Sequence, residues 1–188
     1  MIASPESKCQ EPPASSHCVY FYEDADLLVD EVARYLGAAL TRGHTGIVIA
    51  RDSFRSRLSL ELNLKHRLAE PVANQYGTLI ALDAQETLDK FMVAGWPHQG
   101  KFDRVVGDLV KRCISRGEEI AAYGEMVGLL CEQGQFDAAV RLEKLWNDLL
   151  GKRRFSLICG YPAGLFTSPA GRASYKHLCD AHHKVFQV

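Results

Sequence analysis

From His17 onward, short apolar runs alternate with longer stretches of helical spacing. His17–Tyr22 (HCVYFY) is dense in β-branched and aromatic residues and reads as a strand. Acidic Glu23, Asp24 and Asp26 follow. Leu28, Val32, Tyr35, Leu36 and Ala39 then recur on one helix face, with Gly43 as the stop. Thr45–Ala50 (TGIVIA) is continuously apolar, as a strand buried on both faces would be. Ser53 is placed to cap the next helix, which carries Leu58, Leu62 and Leu64. Thr78–Leu82 (TLIAL) is a third strand, and Asp83 with Glu86 three residues on marks a helix start. A further helix aligns Phe102, Val105, Val106, Leu109, Val110 and Cys113, and Gly117 ends it. Glu119–Gly124 (EIAAYG) is a fourth strand, while residues 125–133 fit a strand extension or a helix equally well. Phe136–Leu150 is the clearest helix, with Ala138, Leu142, Leu145 and Leu149 in one row and Trp146 assigned to the core. Phe155–Cys159 (FSLIC) is a fifth strand, and a last helix is expected over Gly171–Phe186.

This alternation predicts a three-layer α/β/α sandwich around a mostly parallel sheet. Such sheets place ligands at the carboxyl ends of their strands. That rule selects Tyr22 and Glu23, Arg51 and Asp52, Asp83, Tyr123 to Glu125, and Gly160 to Pro162. The first strand-to-helix turn, YEDADLL, has no glycine and no lysine, so it lacks what a phosphate-cradling loop needs. Its carboxylates suit a helix N-terminus but repel phosphate. No GxGxxG, GxSxG or HExxH motif occurs.

Composition narrows the picture. The 188 residues are 47% hydrophobic and 24% charged, with a net charge of -1. This is an ordinary globular balance without a positive field for nucleic acid or anionic membrane. The Pro/Ser-rich residues 1–16 lack a leader's apolar region and are expected to form a disordered tail, leaving one domain over 17–188. No apolar run reaches the ~18 residues of a membrane span. Six cysteines without a CxxC pair fit free, buried thiols in a cytoplasmic protein.

Weaker signals remain. Cys179, His182 and His183 share one turn, with His177 close by, but no second ligand cluster accompanies them, so neither metal nor cofactor is expected. Lys152, Arg153 and Arg154 read as cations at a helix C-terminus. Gly124 at a strand end permits close backbone approach, and Glu125 beside it either accepts a hydrogen bond from a ligand or pairs with an arginine inside the fold. Phe21, Tyr22, Tyr123 and Tyr161 near strand ends either line an apolar pocket or pack beneath the loops.

The ordered set HCVYFYED, ALTRGHTGIVIA, AYGEMVGLLCEQG, LEKLWNDL and FSLICGYP resembles the MEDS domain, the methanogen/methylotroph DcmR-type sensory domain, over roughly His17–Phe166. The resemblance implies a degenerate RecA/KaiC-like fold without a P-loop and without agreed catalytic residues. It also implies sensing of small organic compounds, with histidine kinases or transcriptional regulators as partners. With no output module in this chain, the signal is expected to pass through a partner protein or a homo-oligomer. The expected function is a non-enzymatic sensory domain whose ligand or partner engages Tyr22, Glu23, Tyr123, Glu125 and Tyr161. Two alternatives stand beside it. One is a docking module with no small ligand. The other is a residual ATPase in which Glu125 activates water.

Overall fold

A computed structural model of the chain describes residues 15–66, 77–114 and 119–188. The expected tail falls almost wholly outside these residues, as does Gly117. Six strands form one sheet: β1 (His17–Tyr22), β2 (Thr45–Ala50), β3 (Leu79–Asp83), β6 (Ile120–Gly124), β7 (Ser156–Pro162) and β8 (Lys184–Gln187). Their order is β3-β2-β6-β7-β1-β8, and every pairing is parallel. A small antiparallel hairpin, β4 (Met92–Val93) and β5 (Trp96–Pro97), stands apart from it.

Two helical layers bury the sheet. The helices α1 (Ala25–Thr41) and α2 (Asp52–His66) cover one face, where Leu28, Val32, Leu36, Phe54 and Leu58 pack on Tyr20, Val48 and Tyr123. The other face carries α3 (Ala84–Asp89) and the run α4 (Gln99–Phe102), a π turn (Asp103–Gly107) and α5 (Asp108–Ile114). It also carries α6 (Met126–Glu132), α7 (Phe136–Leu150) and α8 (Pro169–Asp180). Phe91, Phe102, Trp146 and Tyr161 fill this second core. Trp146 is 2% exposed and meets the Phe102 ring edge-on at 5.2 Å. β1, β2 and β6 are buried along their whole length, so strands enclosed on both sides account for the continuous apolar runs.

Local chemistry explains the element ends. The Asp24 carboxylate accepts the Asp26 N–H at 2.8 Å and caps α1. Asp83 caps α3 through the Glu86 N–H at 3.0 Å, as its spacing predicted. α2 begins at Asp52 rather than after Ser53, and Leu64 faces solvent while Leu58 and Leu62 face the core. Residues 126–132 resolve as helix. The last expected helix ran too long at its C-terminal end and began too late. Ser168 caps α8 through the Gly171 N–H, Pro169 opens it, and the chain then returns as β8 beside β1. Phe186 stacks on Tyr20 at 4.9 Å, which anchors that edge strand.

Tight packing at β7 follows from two glycines. A Cβ on Gly128 of α6 would lie 2.9 Å from the Gly160 carbonyl oxygen, and one on Gly160 would lie 2.7 Å from the Tyr123 hydroxyl. Gly124, by contrast, has nothing within 4 Å of such a Cβ, so the packing of the layers does not require a glycine there. Gly→Ala within a helix ordinarily gains about 1 kcal/mol. At Gly128 the new methyl would press on backbone, and overpacking costs about 1–3 kcal/mol. Gly128→Ala is therefore expected to lower the Tm by a few degrees, at about 2–4 °C per kcal/mol for a chain this size. An unchanged or raised Tm in calorimetry would contradict this seating of α6 on β7.

Candidate functional site

The carboxyl edge of the sheet gathers Tyr22 from the end of β1, Arg51 just past β2, and Tyr123 and Glu125 from the end of β6. Glu125 extends the ladder, since its own N–H donates to the Ile49 carbonyl at 2.9 Å. Its side chain is only 3% exposed. Glu125 Oε2 accepts the Arg51 backbone N–H at 2.8 Å and faces Arg51 Nε at 3.4 Å, and Oε1 accepts from the Tyr123 hydroxyl at 3.4 Å. Arg51 Nη1 reaches across to both oxygens of Glu132 at 3.0 Å, and its Nη2 lies 3.5 Å from the Tyr22 hydroxyl. Phe54 stacks on Tyr123 at 4.7 Å and closes the site from the α2 side.

The electrostatics follow from burial. Desolvation pushes the Glu125 carboxyl above its ordinary value, opposed by the Arg51 N–H and guanidinium. Desolvation and the Glu125 charge push the Tyr22 phenol up to about 12, and the same two causes raise Tyr123. Burial works against the Arg51 charge, but Glu125 and Glu132 outweigh it and hold the guanidinium charged. Farther along the same edge, Arg55 bridges Asp83 at 3.3 Å and Asp52 at 3.2 Å.

Two of the five expected residues stand elsewhere. Glu23 is exposed at the rim, its N–H bonded to the Val188 carbonyl at 2.8 Å. Tyr161 pairs in register with Phe21 rather than Tyr22, so it points to the opposite face. There its hydroxyl donates to Glu143 Oε1 at 2.6 Å.

Glu143 is the centre of a second polar cluster, which the sequence reading did not assemble. It sits in the middle of α7 with no side-chain exposure. His17 Nε2 lies 3.3 Å from its Oε2 and 3.4 Å from Cys159 Sγ, and Cys159 Sγ lies 3.7 Å from Glu143 Oε2. His182 Nε2 lies 3.4 Å from Glu143 Oε1. Burial alone would raise the Glu143 carboxyl, but His182 and His17 hold it well below the usual carboxylate range. Burial, and then the Glu143 charge, push the Cys159 thiol and Tyr161 phenol upward. The expected grouping of Cys179, His182 and His183 comes apart here. His182 turns inward to Glu143. His183 Nδ1 accepts the His17 backbone N–H at 2.9 Å, and Cys179 lies beside Tyr175. The available signal was Glu143 itself, a carboxylate on the apolar row of α7 between Ala139 and Trp146.

An open groove of about 450 Å³ lies where α7 and α8 begin. Trp96, Phe136, Ala138, Ala170 and Ala173 line it, and Trp96 is 48% exposed. Among the described residues no helix is long and apolar enough to cross a membrane.

Comparison with known proteins adds two positive findings. The solved structure of a Pyrococcus horikoshii OT3 protein, studied as a structural project target, is similar in fold with a TM-score of 0.51 at 8% identity. The match covers 93% of this chain and 82% of that one. No curated protein matches the sequence. The family model described as MEDS, the MEthanogen/methylotroph, DcmR Sensory domain, matches residues 16–177. That span is most of the chain, running from β1 into α8 and taking in the Arg51–Glu125 network together with His17, Glu143 and Cys159, so the chain belongs to the MEDS family of sensory domains.

Proposed function

We propose that this domain is a non-enzymatic sensor in which a small organic ligand, or a regulatory protein such as a histidine kinase or transcriptional regulator, engages the carboxyl edge. The Arg51–Glu125–Glu132 network carries this reading. Arg51 is a half-buried cation that bridges β2 to the start and end of α6. A ligand or partner that draws the guanidinium away leaves a buried carboxylate short of its counter-charge. The cost of that loss, which solvent at the exposed end of Arg51 screens in part, couples occupancy to the position of α6. The groove beside Trp96, which shares no residue with that network, is a second place for a small apolar organic compound, since its volume falls within the ~300–1,000 Å³ of small-molecule sites.

The geometry favours this reading over a residual ATPase. A water-activating carboxylate needs an open side, and Glu125 commits one oxygen to the Arg51 amide and the other to Tyr123. At the first strand-to-helix turn, the Asp24 carboxylate occupies the α1 N-terminus that a phosphate would need.

Thermal melting of the full chain against small organics, with Mg-ATP as a control, tests the proposal. A ligand at 100 times its Kd should add about 2.7 kcal/mol, a rise of roughly 5–10 °C. Tyr22→Ala and Glu125→Gln are expected to abolish that rise. Loss only in Trp96→Ala would move the ligand into the groove. A rise with Mg-ATP would restore the nucleotide reading. No rise with any organic compound would leave a docking module.

A second expectation concerns pH. The folded chain holds the Glu125 proton more tightly than the unfolded chain, so this group's contribution to stability falls as pH rises from about 4.5 through its raised value. The difference in Tm between wild type and Glu125→Gln, followed across that window, should drift in favour of the variant. A flat difference would show that Arg51 fully compensates the charge.

A further inference from the structure

We propose that His17, Glu143, Cys159 and His182 form a binding site for a divalent, zinc-class metal ion, buried between β1, β7, α7 and the turn after α8. The donor atoms come from four separate segments and all lie within 4.8 Å of one another. Two nitrogens, one sulfur and one carboxylate oxygen are a ligand set that zinc takes in tetrahedral sites.

The orientation of the imidazoles is the first support. Asn147 Nδ2 donates to the Ala181 carbonyl at 2.8 Å, which fixes its Oδ1 as the acceptor facing His17 Nδ1 at 2.9 Å. His182 Nδ1 meets the Leu178 carbonyl at 2.6 Å. Both rings therefore carry their proton on Nδ1 and turn Nε2 toward Glu143. Metal-binding histidines are held in this way, with the far nitrogen donating to a carbonyl. Tyr161 donates to Glu143 Oε1 in the same supporting role and leaves Oε2 to face His17 and Cys159.

Distances are the second support. The separations of 3.3 Å (His17 Nε2 to Glu143 Oε2) and 3.4 Å (His182 Nε2 to Glu143 Oε1) are long for hydrogen bonds, which cluster at 2.7–3.2 Å. His182 Nε2 in fact has no hydrogen-bond partner, although its side chain has no exposure. As edges of one tetrahedral face, the 3.3 Å from His17 Nε2 to Glu143 Oε2, with 3.4 Å and 3.7 Å to sulfur, suits metal bonds of about 2.0–2.3 Å, and His182 Nε2 lies within 4.8 Å of the other donors as the fourth vertex.

Charge balance is the third. A dication with one carboxylate, one thiolate and two neutral imidazoles leaves no net charge among side chains with no solvent exposure, where an unbalanced charge is costly. Binding releases the Cys159 thiol proton, and any proton on His182 Nε2, to solvent.

The test is the metal content of the full chain as isolated and after refolding with Co(II), followed by optical spectra. One ion per chain is expected. Its cobalt form should show the intense visible bands of a tetrahedral site and a near-ultraviolet thiolate-to-cobalt band. Cys159→Ser should lose the thiolate band, and His182→Gln should weaken binding at least about a hundredfold. Asn147→Ala, which removes the partner of His17 Nδ1 and of the Ala181 carbonyl but no proposed ligand, should weaken binding about 10–100-fold. The wild-type spectrum decides the matter even where a variant fails to fold. A folded wild type that takes up neither zinc nor cobalt overturns the proposal, as does an ion indifferent to Cys159 and His182. The cluster would then be a buried ion pair and nothing more.

Discussion

The strands β1, β2 and β6 are enclosed on both faces along their whole length, so a polar group set between the layers there must be matched inside the protein. Two carboxylates show what this demands. Glu125, near the rim, is satisfied by a backbone amide, a tyrosine and an arginine whose far end is still wet. Glu143, in the middle of α7, has no route to solvent and draws in two imidazoles, a thiol and a phenol. Those partners lie on β1, β7 and the turn after α8, so one side chain's need for counter-charge fixes how the first strand, the fifth strand of the sheet in chain order, and the last helix meet. The chain's two polar clusters are thus consequences of the same enclosure, met once at the edge and once in the interior.

The clusters sit on opposite faces of neighbouring strands. Cys159 and Tyr161 point from β7 toward α7, and Gly160 between them lacks a side chain where the Tyr123 hydroxyl comes in from the other face. A methyl there would displace Tyr123 from Glu125 without touching either carboxylate. The glycines of this region serve the fit of the layers rather than the bending of the chain.

Much of the fold was legible because enclosure writes itself into the sequence as unbroken apolar runs. TGIVIA and HCVYFY became strands with their predicted bounds, and the heptad-like row of Phe136–Leu150 became α7. β8 was not legible: four residues following a histidine-rich helix end, three of them exposed, carry too little pattern to compete with continued helix. The hairpin at 92–97 is shorter still. At the candidate site, the carboxyl-edge rule named Tyr22, Arg51, Tyr123 and Glu125, which the fold does bring together, because it depends only on where strands stop. It could not separate Tyr161 from Tyr22, since which face a side chain takes depends on the register between β1 and β7, set by hydrogen bonds that no single segment contains. The Glu143 cluster escaped for the same reason. Its members are far apart in the chain, and only the tertiary structure makes them neighbours.

The strand order has a consequence for how the chain comes into being. β1 is made first, yet both of its neighbours, β7 and β8, come last: His17 pairs opposite Leu157, 140 residues downstream. At roughly 5–20 residues per second, this intensely apolar strand waits on the order of ten seconds for its pairing partners. During that time β2, β3 and β6 can already assemble among themselves. Closing so long a loop adds little to the thermodynamic cost, which grows only logarithmically with length, but it delays the step that completes the sheet. The nascent chain therefore depends on whatever shields HCVYFY in the interval, and the same long wait makes the closing third of the sequence, rather than the opening third, the part whose arrival commits the molecule to its fold.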